Sequence, residues 1–121
     1  MDAQIEETVK YLPIIFIILV PMALYIFRVI DKLLEQMFIY HKEDWMKAGK
    51  PCGMFFRPFE SENIQSMISM QINLFKWFFI TPKWIKEDEI AKAYLSSIRR
   101  ITIIANLIIF GIFGYIISLI L

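Results

Sequence analysis

Residues 101–121 read ITIIANLIIFGIFGYIISLIL, without one charged side chain, and Arg99 and Arg100 stand directly before them. As an α-helix rising about 1.5 Å per residue, this stretch is roughly 30 Å long, the thickness of a bilayer's hydrocarbon core. A helix apolar on every side has no polar face to offer water, so the stretch predicts a membrane span. Small residues fall along one of its faces, at Gly111, Gly114 and Ser118 below Leu107. Such a face lets another helix approach closely, either the chain's own first span or a helix of another subunit. Thr102 and Asn106 lie on a different face, and an amide in lipid seeks a hydrogen bond, which makes Asn106 a helix-contact candidate as well.

A second charge-free run extends from Tyr11 to Phe27, between Lys10 and Arg28, and contains Pro13 and Pro21. Its length is near the lower limit for a span, but Lys10 and Arg28 can lay their stems along lipid with their charges at the headgroups. A cleaved signal peptide would start basic and end at a small-residue site. Here Asp2, Glu6 and Glu7 make the start acidic and no A-x-A follows. The reading is a retained first span at about 11–27, with a kink expected between Ile17 and Met22 because Pro21 lacks a backbone donor.

The totals agree with a membrane chain. Its 121 residues are 58% hydrophobic and 16% aromatic, more apolar surface than a soluble domain of this size can cover. There is room for one structural unit. A net charge of +1 gives no reason to expect a nucleic-acid partner. Cys52 is the only cysteine, so no intramolecular disulfide can form. Positive charge sets the orientation: twelve of the thirteen Lys and Arg residues lie between the two runs, and only Lys10 lies outside them. In a bacterial inner membrane, the middle of the chain is then cytoplasmic and both termini are periplasmic.

That middle segment reads as folded helix. Val29, Ile30, Leu33, Leu34, Met37 and Phe38 recur at helical spacing opposite Asp31, Lys32, Glu35 and Gln36, so the first helix should continue to about Tyr40. A short helical turn from His41 to Ala48 should close on Gly49, with Pro51 preventing continuation and an irregular link following over 49–60. Ser61 is placed to cap a helix carrying Ile64, Met67, Ile68, Ile72, Phe75, Phe78 and Phe79 on one face. Six polar side chains between Ile64 and Ile80, Lys76 among them, argue against a third span and for an interfacial or bundle-facing helix. Phe75 to Trp84 mixes Phe, Trp and Lys as membrane interfaces favour, which makes Trp77 and Trp84, with Arg99 and Arg100, the interface candidates. Thr81 and Pro82 form a cap and first-turn pair for one uninterrupted helix over 82–121, with Glu87-Asp88-Glu89 as its acidic first turn.

Candidate chemistry is sparse. His41, Glu43, Asp44 and Cys52 suggest a metal or thiol site, but a zinc site needs three or four ligands, and His41 and Cys52 are the only residues of their kinds. A solvated charged turn is the preferred reading. No phosphate-binding glycine loop or nucleophile–base set occurs in the sequence, so no catalytic, cofactor or metal residue and no small-molecule substrate is expected.

The charged turn around Trp45 closing on Gly49-Lys50-Pro51, and a last helix opening at Glu87-Asp88-Glu89 and reaching Arg99-Arg100 before its span, resemble the universal stress protein B family and related small two-span bacterial proteins. The resemblance implies an inner-membrane protein with a cytoplasmic middle, associated with stress or stationary-phase survival. It supplies no catalytic residues. Its long aromatic segment, Asn73 to Trp84, departs from the family's pattern.

The combined expectation is an all-α integral membrane helical hairpin of two transmembrane helices enclosing an amphipathic helical cytoplasmic loop at 41–81. Its role would be non-catalytic, as an accessory or stabilising subunit of a larger membrane complex or a stress-related membrane protein. The expected partners are the lipid bilayer and other transmembrane subunits. The alternative is a component of a self-associating small transporter or channel, which would call for a polar stripe along both spans. The first span has none.

Overall fold

The computed structural model describes residues 2–61 and 63–121. Among the described residues there are six helices and no strand: α1 (Asp2–Lys10), α2 (Leu12–Tyr40), α3 (Lys42–Lys47), α4 (Asn63–Phe79), α5 (Lys83–Lys86) and α6 (Glu89–Ile120). Two of them, α2 and α6, are long and apolar enough to cross a membrane, and almost nothing in their most apolar stretches is buried.

The two long helices run in opposite directions along each other. Gln36 near the end of α2 meets Asp88 at the start of α6. Leu12 at the start of α2 lines one pocket with Ile116, Leu119 and Ile120 at the end of α6. Half-buried residues recur every three or four positions, as Leu12, Ile15, Leu19, Met22 and Ile26 on α2 and Ala105, Ile108, Ile112, Ile116 and Leu119 on α6. That spacing is one helical stripe on each partner, and the two stripes form the seam. α2 continues as helix through Pro21 to Tyr40, as the apolar spacing after Phe27 predicts.

Packing is dense only at the charged end of the pair. Leu33, Leu34 and Met37 of α2, Trp45 of α3, Trp77 of α4, Trp84 and Ile85 of α5, and Ala91, Leu95 and Ile98 of α6 form a single buried cluster. Trp45 is fully buried, edge-on to Phe38 with ring centroids 4.8 Å apart, and its indole N–H donates to the Pro51 carbonyl at 2.9 Å. Lys42 sits 3.6 Å from the centre of the Phe38 ring and reaches Glu60 at 2.8 Å, closing this corner with charge over an aromatic face. Gly49, at φ +91°, takes the left-handed conformation that ends α3, and Lys50 follows it at φ 54°.

Several expected boundaries differ. The helix anticipated over 82–121 is broken after Lys86: Asp88 adopts extended backbone and caps α6 through its own side chain. The break lets α5 turn inward, so that Trp84 and Ile85 are buried. Thr81 does not cap α5, whose N-cap is Pro82 without a side-chain bond; the Thr81 hydroxyl instead accepts from Arg99. Ser61 donates to the Lys50 carbonyl at 3.3 Å, tying the link back to the α3 turn. α1 adds a helix ahead of the first apolar run. Its Ile5 and Val9, four residues apart, join Leu12 against the end of α6.

Replacing Trp45 tests this packing. Trp45→Phe keeps most of the ring volume but leaves the buried Pro51 carbonyl without its donor, a loss of about 1–3 kcal/mol. Trp45→Ala opens a cavity and should cost about 3–5 kcal/mol. Reversible unfolding in mild detergent should rank the two variants in that order.

Candidate functional site

The densest polar constellation is where the end of α2 meets the start of α6. Asp88 uses both carboxylate oxygens. Oδ1 accepts from the backbone N–H groups of Ile90 and Ala91 at 3.0 and 3.1 Å, satisfying two donors at the open end of α6. Oδ2 accepts from Gln36 Nε2 at 3.0 Å and lies 2.8 Å from His41 Nε2. An ionised carboxylate can only accept, so the proton of that contact belongs to His41. The His41 ring lies 5.0 Å from the Trp84 ring, and Trp84 packs edge-on to Trp77 at 5.6 Å. Burial alone would raise the Asp88 pKa, but the hydrogen bonds from Gln36, His41 and Ala91 outweigh it and hold the carboxyl below its ordinary value.

Three further polar anchors fasten the loop. Asp31, buried on α2, accepts from the Phe55 N–H at 3.2 Å. Gly53 lies so close to that carboxylate that a side chain there would collide with it. Arg99 donates to the Trp77 carbonyl at 2.6 and 3.1 Å and to the Thr81 hydroxyl at 2.8 Å, supplying donors where the backbone ladder of α4 runs out. Asn73 donates to the Ala48 carbonyl at 2.9 Å. Cys52 is fully buried, and burial raises its thiol pKa more than the nearby Arg57 charge lowers it. The thiol is therefore protonated and shielded, opposite to the state of a reactive cysteine.

The sequence candidates are distributed differently from expectation. Trp77 and Trp84, anticipated at a membrane interface, are buried in the helical cluster at 5% and 6% exposure, so they pack protein rather than face outward. Arg99 is half-buried in its carbonyl contacts and Arg100 is exposed. His41 takes Asp88 as its partner rather than Glu43, Asp44 or Cys52, and no group of three potential metal ligands occurs among the described residues. Gly111 and Gly114 have open space where a side chain would begin, so their face is turned away from α2. Ser118 on the same face bonds to its own helix at the Tyr115 carbonyl, and Asn106 bonds to the Thr102 carbonyl. Of the two partners considered for the small-residue face, the chain's own first long helix is thereby excluded.

Asp31, Gln36 and Gly53 were not legible as a set, because each pairs across more than twenty residues of sequence. Asp88 carried a signal: an Asp two and three residues ahead of the backbone donors it caps is a common helix start. Flanked by Glu87 and Glu89, it fits the interior of an acidic first turn equally well.

The fold and these contacts define an all-helical protein with a packed, polar-pinned head and two long apolar helices extending from it. No family model, curated protein or solved structure matches the chain.

The lowered Asp88 pKa has a definite consequence. A carboxyl held below its unfolded value of 3.8 stabilises the fold fully above that pH and loses the contribution as pH falls through its folded value. Wild-type protein in detergent, followed by tryptophan fluorescence, should lose thermal stability on acidification below about pH 4. Asp88→Asn retains a competent cap but not the charge, so it should be about 1–2 kcal/mol less stable at pH 7 and show a shallower acid dependence.

Proposed function

We propose that the chain is a two-span helical hairpin in a bacterial inner membrane. Its packed head is cytoplasmic, both termini are periplasmic, and it acts without catalysis as an accessory or stabilising subunit of a larger membrane complex. The observation that carries this reading is the outward face of α6 at Gly111, Gly114 and Ser118. The seam with α2 uses other residues, and this face has open space above both glycines. Small residues allow helix backbones to approach closely in lipid, where van der Waals packing drives association. The exposed apolar surface of α2 and α6 supports lipid as their surroundings, and the concentration of Lys and Arg at the head end supports the orientation. A stress-related role is the biological setting that the resemblance to universal stress protein B suggests.

Gentle solubilisation from the native membrane, followed by native electrophoresis and mass spectrometry, tests this function. The wild-type chain should migrate in a species larger than itself. Gly111→Leu with Gly114→Leu should release it from that species while leaving its own unfolding transition in place. A wild-type chain that migrates alone would contradict the accessory role.

A further inference from the structure

α4 packs one face on the rest of the chain and leaves a continuous apolar stripe on the opposite face uncovered. Ser66 and Trp77 are buried against the rest of the chain and Asn73 is hydrogen-bonded to it. Ile64, Ile68, Ile72, Phe75 and Phe79 lie on the opposite side, each at least half exposed. Helical geometry of about 100° per residue puts those five in one continuous stripe. In water such a stripe along a helix of this length would be a liability.

The two ends of α4 are held at nearly one level of the α2–α6 pair. Near its start, the Ser66 carbonyl accepts from Cys52 N–H at 3.3 Å, and the adjoining Gly53 packs on Asp31. Near its end, the Trp77 carbonyl accepts from Arg99. Asp31 lies four residues beyond the charge-free run that ends at Phe27, and Arg99 lies two residues before the run that begins at Ile101. Along the long helices those offsets are about 6 Å and 3 Å, whereas Ser66 to Trp77 spans about 16 Å of α4. α4 therefore crosses the pair at the edge of its apolar part rather than running along it.

The two flanks of α4 differ in a consistent sense. Gln65 lines a shallow surface with Met46, Gly49 and Lys50 on the head side. Leu74, Phe75, Phe78 and Phe79 of α4, with Gln71 among them, line a groove of about 480 Å³ whose other wall runs from Ile30 and Ile98 at the core to Ile26, Thr102 and Asn106 in the long helices. Gln65 thus borders the charged head, and the Phe75–Phe79 side continues into the bare surface of α2 and α6.

From this placement we infer that α4 is an in-plane membrane helix. It lies at the head-side boundary of the bilayer with its Ile64–Phe79 stripe against acyl chains, and one such chain fills the groove beneath Phe78. The inference rests on the two-span reading, because the lipid it invokes is the bilayer that α2 and α6 cross. Continuity of the α4 stripe with the apolar surface of those helices selects lipid as the occupant, and an amphipathic helix of this kind binds at the headgroup–acyl boundary.

Nitroxide labels test the inference in full-length protein carrying Cys52→Ala, reconstituted into phosphatidylcholine–phosphatidylglycerol vesicles. The labelled sites are Ile68, Ile72, Phe75 and Phe79 on the stripe, Gln65 and Lys76 on the polar flank, and Phe113 in α6 as the lipid reference. Collisions with oxygen should exceed those with a water-soluble nickel complex at the four stripe sites and Phe113, and the ratio should invert at Gln65 and Lys76. Nickel-dominated collisions on the stripe, with Phe113 still oxygen-dominated, would place α4 in water and overturn the inference alone. Low collision rates with both reagents on the stripe would show a protein partner or second copy covering it, and would also overturn the inference. Nickel-dominated collisions at Phe113 would overturn the two-span reading itself.

Discussion

Asp88 ties the start of α6 to the end of α2 and to His41 just beyond it, at the edge of the core those helices share. Its Oδ1 ends the run of unsatisfied N–H groups at the start of α6, and its Oδ2 takes Gln36 from α2 and His41 from the α2–α3 junction. Two long apolar helices can slide along each other with little loss, since one Leu or Ile replaces another in the seam. A carboxylate with four oriented donors cannot slide, because a shift of one turn would leave partly buried polar groups unpaired. The same residue also interrupts the helix. Without the break at Glu87 and Asp88, the segment carrying Trp84 and Ile85 would continue straight along α6. With it, both side chains enter the core.

Around this junction the chain divides into a densely packed head and two thinly packed long helices. The head is held as a soluble domain is held, by buried aromatics with satisfied polar tips and by side chains that cap helix ends. Trp45 donates to Pro51, Arg99 covers the Trp77 carbonyl, and Asp31 takes the Phe55 N–H. The remainder of α2 and α6 buries little, and most of its apolar surface faces outward. In the proposed bilayer that surface needs no protein cover, which explains how so short a chain sustains two helices of this length.

Much of this plan could be read from residue order. Charge-free runs beginning at Tyr11 and Ile101 marked the long helices, and the spacing from Val29 to Phe38 extended the first of them to Tyr40. The apolar spacing of α4 was also legible, but not the direction in which it points. Alternation shows that a helix has two faces; only the anchoring of Ser66, Asn73 and Trp77 shows which of them is buried. Trp77 and Trp84 misled for a related reason: Phe, Trp and Lys in one segment describe a membrane interface and an aromatic core equally well until their contacts are known. The break before α6 was hidden because Glu87, Asp88 and Glu89 suit a helix's first turn as well as its cap. Spacing alone puts Gly111, Gly114 and Ser118 on one face, whereas the absence of α2 from that face emerges only from the packing of the two long helices.

Asp88 and its α2-side donors act as one coupled unit that fixes the helix pair. A double-mutant cycle of His41→Ala and Asp88→Ala, read by reversible unfolding in mild detergent at pH 7, tests it most directly. The expected coupling free energy between the two positions is about 1 kcal/mol or more, with the double variant barely worse than Asp88→Ala alone. Effects that add to within about 0.5 kcal/mol would contradict it.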